Sequence, residues 1–298
     1  VQSGNLTDYQ QLDRATAAFR RGRLAVTVGR QAIGWGRGVL FSAVDIFAPF
    51  TPLQIDQEWR DGVDAASLDW KLADAWSVSA VSAWGPTWSS SALGGRIRGY
   101  FGPVDAEILV AKRAQDTMYG LTSSAAIGDA EAHGELAIFQ TPGDIPSSGV
   151  LGNATLVPKA VLGASKNFQV GSGLKVTLEY HYSGFGAATP SALAPLLANP
   201  AFLARLARGD TQIAGAQALG WSSSYTFDIR WSATLTLLQS LIDDSGVIAP
   251  SATWDISDNA SLLASIFIAY GRSPSNGSLQ SQFGAVPPTA ILQLRLYD

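Results

Sequence analysis

The 298-residue sequence contains no cysteine, which excludes a disulfide framework, a thiol nucleophile and a Cys-based zinc site. Its two histidines, His133 and His181, are far apart in sequence and make no metal-binding cluster. Charge is scarce as well. Charged residues are 15% of the chain, against ~25% in average soluble domains. The net charge is −4 with no basic block, which argues against nucleic acid as a partner. No long hydrophobic run is present. The longest stretch without a charged residue, 180–204, is interrupted by Gly184, Gly186, Pro190, Pro195 and Pro200. A spanning helix needs ~20 mostly apolar residues and tolerates such breaks poorly. Residues 1–5 carry no secretory leader, and the expectation is a mature form or a fragment.

What the chain does have is 9 Trp, 8 Tyr, 12 Phe and 30 Gly, a profile too apolar and aromatic for disorder. It also alternates. Trp76, Val78, Ala80 and Trp84 share one face, with Ser77 and Ser79 opposite. Val104, Ala106, Ile108 and Val110 alternate with Asp105 and Glu107. Leu174, Val176, Leu178, Tyr180 and Tyr182 alternate with Lys175, Thr177, Glu179 and His181, and Leu292, Leu294 and Leu296 with Gln293 and Arg295. This period of two predicts about fifteen strands, at 10–20, 23–33, 62–72, 75–85, 93–102, 104–113, 118–128, 130–140, 154–166, 173–184, 217–228, 230–241, 247–257, 260–271 and 288–298.

The connections between them alternate between short turns and longer loops. A membrane-spanning strand needs only ~9–11 residues with every second one apolar, and short turns on one rim with long loops on the other mark outer-membrane barrels. Trp70, Trp76, Trp84, Trp221, Trp231, Trp254 and Tyr270 are read as interface girdles near strand ends. The predicted fold is therefore all-β, a transmembrane antiparallel β-barrel. It forms a single domain over 1–298, with short periplasmic turns and long extracellular loops. Fifteen is an awkward count, because single-chain bacterial barrels have even numbers. About sixteen strands are expected in the complete barrel, one at the N-terminal end being missing, with fourteen as the alternative.

A barrel of that width encloses water. The candidate lumen-facing, pore-lining residues are Arg14, Arg20, Asp69, Arg96, Arg98, Asp105, Glu107, Glu131, Glu135, Lys175, Glu179, Arg230 and Arg295, with His133, Lys159 and His181 on the same faces. Wall-bracing ion pairs, such as Arg98 opposite Glu107, explain many of them equally well. Two connections stand out. The 185–216 loop has helical spacing over 191–207, broken by Pro195 and Pro200. It is read as a constriction presenting Arg205 and Arg208, or else as a cap or partner contact. The loop at 34–61, with Trp35, Arg37, Asp45, Asp56, Glu58, Arg60 and Asp61, either lines the entrance or packs as an ion-paired loop.

Enzyme signals are poor. Neither histidine lies in a motif for Ser–His–Asp catalysis. Gly94-Gly95 and 171–173 are not phosphate loops, and Asp243-Asp244 lacks EF-hand spacing. No catalytic residue, cofactor or metal is expected.

The run Val28-Gly29-Arg30-Gln31-Ala32-Ile33-Gly34-Trp35-Gly36, continuing through Asp45-Ile46-Phe47-Ala48-Pro49-Phe50 to Arg60-Asp61-Gly62-Val63-Asp64, resembles a pattern of porin-like outer-membrane families, including alginate-export-type channels. The resemblance covers about 40 residues and implies a channel or export barrel of a Gram-negative outer membrane. A densely arginine-rich lumen is absent from this sequence, which departs from the alginate-export type. The functional expectation is passive passage of small hydrophilic solutes. The alternative is a barrel that scaffolds or sheathes a partner. Expected contacts are outer-membrane lipid and lipopolysaccharide, small hydrophilic solutes, and a homo-oligomer or complex partner.

Overall fold

The computed structural model describes residues 2–3, 6–7, 12–48, 62–142, 155–275 and 278–296. Alternation along the sequence becomes pleat: successive side chains of a strand point to opposite sides, so each alternating run sorts its apolar and polar residues onto two faces. Two-residue strands β1 (Gln2–Ser3) and β2 (Leu6–Thr7) pair only with each other. The main sheet then follows in chain order. Its first half is β3 (Ala15–Arg21), β4 (Leu24–Gln31), β5 (Val63–Ala73), β6 (Trp76–Ala83), β7 (Ala92–Phe101), β8 (Val104–Arg113), β9 (Asp116–Ile127) and β10 (Ala130–Gln140). It continues with β11 (Leu156–Phe168), β12 (Leu174–Ser183), β13 (Gln217–Thr226), β14 (Trp231–Ser240), β15 (Gly246–Ser257), β16 (Ala260–Tyr270) and β17 (Thr289–Leu296). All fifteen expected strands are present. The largest shift is in the first, which begins at Ala15 rather than 10.

These strands form one antiparallel sheet in which every neighbour in space is a neighbour in sequence. Two-residue turns at 22–23, 74–75, 102–103, 128–129 and 258–259 lie on one rim. The opposite rim carries most of the long connections, including 184–216 and 271–288. No described helix is long and apolar enough to cross a membrane. Helices α1 (Pro190–Leu197) and α2 (Pro200–Arg208) both lie in the 184–216 loop.

The outer face of the sheet is apolar. Ile108 is 65% exposed, Leu162 61% and Leu292 70%, far above what a water-facing strand surface carries without a partner. Aromatic pairs mark the short-turn rim: Trp231 stacks on its cross-strand partner Trp254 at 5.3 Å, and Trp76 meets Phe101 edge-on at 5.3 Å. Trp84 and Tyr270 lie at the other rim. Trp221 departs from the girdle expectation. It is the fifth residue of β13, opposite Leu178 and Leu237, so it sits at mid-height among aliphatic side chains.

The inner faces converge. Val81 of β6, Leu109 of β8, Phe139 of β10, Val161 of β11, Leu238 of β14 and Val247 of β15 belong to one buried cluster. A flat sheet cannot bring strands so far apart in order onto one core, so the sheet curls around it. The centre of the cluster comes from two loops folded inside, through Leu40, Phe41, Val44 and Phe47 of the first and Phe185, Leu193, Phe202 and Ile213 of the second.

Candidate functional site: the lumen and its inward-folded loops

Inside the barrel the first loop, 33–48, is held by carboxylates of the wall. Glu135 of β10 accepts hydrogen bonds from the backbone N–H groups of Arg37, Gly38 (2.7 Å), Ala43 (2.6 Å) and Val44 (3.3 Å), and from Ser42 Oγ (2.9 Å). Glu179 of β12 accepts from the N–H groups of Val39 (2.5 Å), Leu40 (2.9 Å) and Phe41 (3.0 Å), and from His133 Nε2 (2.8 Å). Within the loop, Asp45 accepts from the N–H groups of Trp35 (2.5 Å) and Gly36 (2.8 Å). A buried irregular segment must satisfy each N–H it takes out of water. Here two wall carboxylates satisfy seven of them, and charge-assisted bonds of this kind are about twice as strong as neutral ones.

Two glycines permit this geometry. Gly163 of β11 lies between His133 and Glu179 in the register. A Cβ there would stand 2.3 Å from His133 Nε2, so only glycine leaves the path across β11 open. At Gly38 a Cβ would stand 1.9 Å from the carbonyl oxygen of Phe41, so the loop can fold back there only with glycine.

A second cluster ties the loop to β7 and β8. Arg37 reaches Asp105 (2.7 Å) and Glu107. Arg96 bonds Glu107 (3.1 Å), while Arg98 bonds Asp105 through Nε (2.9 Å) and approaches Glu107 (3.4 Å). Arg98 and Glu107 are directly opposed in the register, and the ion pairs run diagonally as well as straight across. Three guanidinium groups thus share two carboxylates.

A third cluster anchors α2. The Asn199 side chain caps its N-terminus, and Gly209, with φ of 75°, ends it in the left-handed region. That stop turns Asp210 back toward the helix. Arg205, 2% exposed, makes a bidentate pair with Asp116 of β9 (2.7 and 2.9 Å) and a third bond to Asp210 (3.2 Å). Arg208 bonds Asp210 (2.6 Å), and Arg113 of β8 donates to the carbonyl of Arg208 (2.9 Å). Arg205 and Arg208 therefore face carboxylates of the wall and of their own loop.

The remaining candidates are spread along the wall. Asp69 accepts from Ser79 Oγ at 2.6 Å. Arg14 lies 3.4 Å from Asp13. Arg20, Glu131 and Lys175 are exposed toward the short-turn end of their strands, and Arg295 faces inward near the end of β17. Arg230 lies in the 227–230 turn, outside the strand wall, where its carbonyl accepts from Asp255 N–H. Lys159 is buried with its Nζ 5.6 Å from the Phe139 ring centre. His181 is fully buried, stacked on Phe41 at 4.7 Å, with no hydrogen-bond partner for either ring nitrogen among the described residues. Asp56, Glu58, Arg60 and Asp61 of the first loop lie outside the described residues.

Sequence reading did not find the partners Arg113, Asp116 and Asp210. They sit where a strand meets a loop or within a loop, where alternation carries no signal. Nor does any side-chain pattern announce that Glu135 and Glu179 will bond to backbone N–H groups.

No protein-family model and no curated protein matches the chain. Solved structures do share its fold. Wzi of Escherichia coli, described as an outer-membrane protein involved in Group 1 capsule assembly and a carbohydrate-binding β-barrel, is similar with a TM-score of 0.58 at 12% identity, over 86% of this chain and 66% of its own. OccK11 (OpdR) of Pseudomonas aeruginosa gives a TM-score of 0.55 at 10% identity, over 94% of this chain and 77% of its own. The outer-membrane protein OprD of Pseudomonas aeruginosa gives 0.54 at 9% identity, over 95% and 76%. The chain thus spans just under two thirds of Wzi and about three quarters of the other two. At these identities the likeness is one of fold: the architecture is that of bacterial outer-membrane β-barrels.

Proposed function

We propose that this protein is a porin-like channel of the Gram-negative outer membrane, passing small hydrophilic solutes, with the 33–48 loop as its fixed constriction. The observation that carries the reading is the pinning of that loop across the lumen by Glu135 and Glu179. The apolar outer face supports placement in a bilayer, and the rim with short turns is then periplasmic. In this reading the candidate residues other than Arg230 line the passage, with Arg96, Arg98 and Asp105 at its narrow part, backed by the buried Glu107. Arg205 and Arg208 hold the second loop against the wall.

Planar-bilayer recording of the purified protein tests this. Stepwise conductance is expected from the wild type, and a larger or noisier conductance from E135Q/E179Q, in which the acceptors for the loop are weakened. Silence from both would overturn it. A second reading is favoured by the dry core of Phe41, Phe139, Phe185 and Phe202 in the long-loop half. There the barrel is closed and serves as a platform for a partner, and neither protein conducts.

A further inference from the structure

Below the inward loops the lumen wall changes chemistry. A Cβ at Gly220 of β13 would stand 2.7 Å from Leu40 Cδ1 and 2.8 Å from Phe41 Cε2, so the 33–48 loop lies against β13 at that level. The next inward residues toward the short-turn rim are Ser222, Ser224 and Thr226. In the register Ser222 stands between Thr177 of β12 and Thr236 of β14. One step lower, Ser224 stands beside Thr234, which faces Ser251 of β15 and, beyond it, Ser265 of β16. A third row joins Thr226, Ser232 and Thr253. No inward position of β13 or β14 carries a charge. Lys175 of β12 bounds this panel on one side, and Asp255 bounds it at the rim. Halfway round the sheet, β7 and β8 carry Arg98 and Asp105, which neutralise each other.

Wall bracing accounts for part of the panel. Ser224 Oγ and Thr234 Oγ1 are 3.0 Å apart, and Ser251 Oγ donates to the Thr234 carbonyl at 3.4 Å. Such cross-strand pairs stabilise a sheet. Bracing does not account for the rest. Ser222, Thr236 and Ser265 make no side-chain hydrogen bond among the described residues, and Ser265 is 4% exposed with Ser251 directly opposite. Buried hydroxyls nearly always have a partner, so these take theirs from the lumen, from water or from a solute that replaces it.

We infer that the panel is a binding subsite for uncharged, hydroxyl-rich solutes, the small polyols and sugars, beneath the constriction; the inference rests on the channel reading. Each wall hydroxyl offers one donor and two acceptor lone pairs. A polyol carries the same groups, so it exchanges its bonds to water for bonds to the wall one for one. Inward positions are about 4.8 Å apart across strands and about 6.7 Å apart along them, so a solute of a few carbons meets several hydroxyls at once. A carboxylate or ammonium group gives up part of its hydration there and meets no opposite charge on β13 or β14 in return.

Planar-bilayer recording with added sorbitol tests this, against gluconate, which has the same carbon chain ending in a carboxylate. Sorbitol is expected to add current noise that saturates with its concentration and is the same in dilute and concentrated salt, because no charge is there to be screened. Gluconate should act several-fold more weakly. In at least one of S222A/T236V and S251A/T253V the sorbitol effect should fall several-fold with the open conductance unchanged, while S77A, which removes an inward hydroxyl of β6, leaves it as it was. Equal effects of sorbitol and gluconate, or an undiminished sorbitol effect in both double variants, would overturn the subsite and leave the channel reading intact. A silent wild type would strike the channel reading instead. Retention of radiolabelled sorbitol by the detergent-solubilised protein then decides. Retention that is lost in S222A/T236V upholds the panel, and none in the wild type, or as much in the variant, overturns it.

Discussion

His181 shows how the interior is assembled from single residues. Its ring is buried against Phe41 with neither nitrogen hydrogen-bonded among the described residues. An unsatisfied buried polar group costs about 1–3 kcal/mol. Phe keeps the stack and removes both polar atoms, so H181F should be more stable by about 1 kcal/mol, read by guanidinium unfolding in detergent micelles. A clear loss of stability would show that the ring is hydrogen-bonded in the working protein. The neighbouring His133 is the opposite case, because its bond to Glu179 is made and depends on Gly163. G163A places a methyl group between the two and should cost about 1–3 kcal/mol in the same assay. An unchanged midpoint would mean that the bond contributes nothing.

Among elements, the two inward loops are held differently. The 33–48 loop has no regular structure and depends on acceptors from the wall. The helical loop brings its own caps and is fixed through Arg205. Removing one partner of a buried ion pair typically costs 3–5 kcal/mol, because the other charge stays buried alone. R205A should therefore loosen α2 from β9 and speed proteolytic cleavage within 190–208, with the strands left intact by circular dichroism. Cleavage at the wild-type rate would show that apolar packing of Leu193, Leu196 and Phe202 is sufficient. The strands themselves were legible in the sequence, since a period of two is a direct consequence of the pleat. Leu292, Leu294 and Leu296 point out because Gln293 and Arg295 must point in. The path of the loops was not legible. Backbone N–H groups carry no sequence identity, so a segment such as Gly38–Phe41 gives no sign that Glu179, some 140 residues away, will hold it.

For the whole molecule the decisive quantity is the charge left inside once these clusters have formed. Arg37, Arg96, Arg98, Arg113, Lys159, Arg205 and Arg208 are matched by Asp45, Asp105, Glu107, Asp116, Glu135, Glu179 and Asp210. These buried groups balance one another and form no ring of one sign to select ions, which leaves any selection to exposed wall residues such as Arg20, Glu131 and Lys175. In a potassium chloride gradient the reversal potential should lie near zero, and strong preference for either ion would show that exposed wall residues such as Lys175 or Glu131 dominate. The same reasoning separates width from charge. In the proposed reading, width is set by the loop that Glu135 and Glu179 hold. The most direct measurement is single-channel conductance of the wild type against a variant in which residues 37–44 are replaced by a two-residue linker. A several-fold larger conductance step in the variant, with the strand signal unchanged, is the expected result. Equal conductance in the two proteins, or none in either, would contradict a constriction built from that loop.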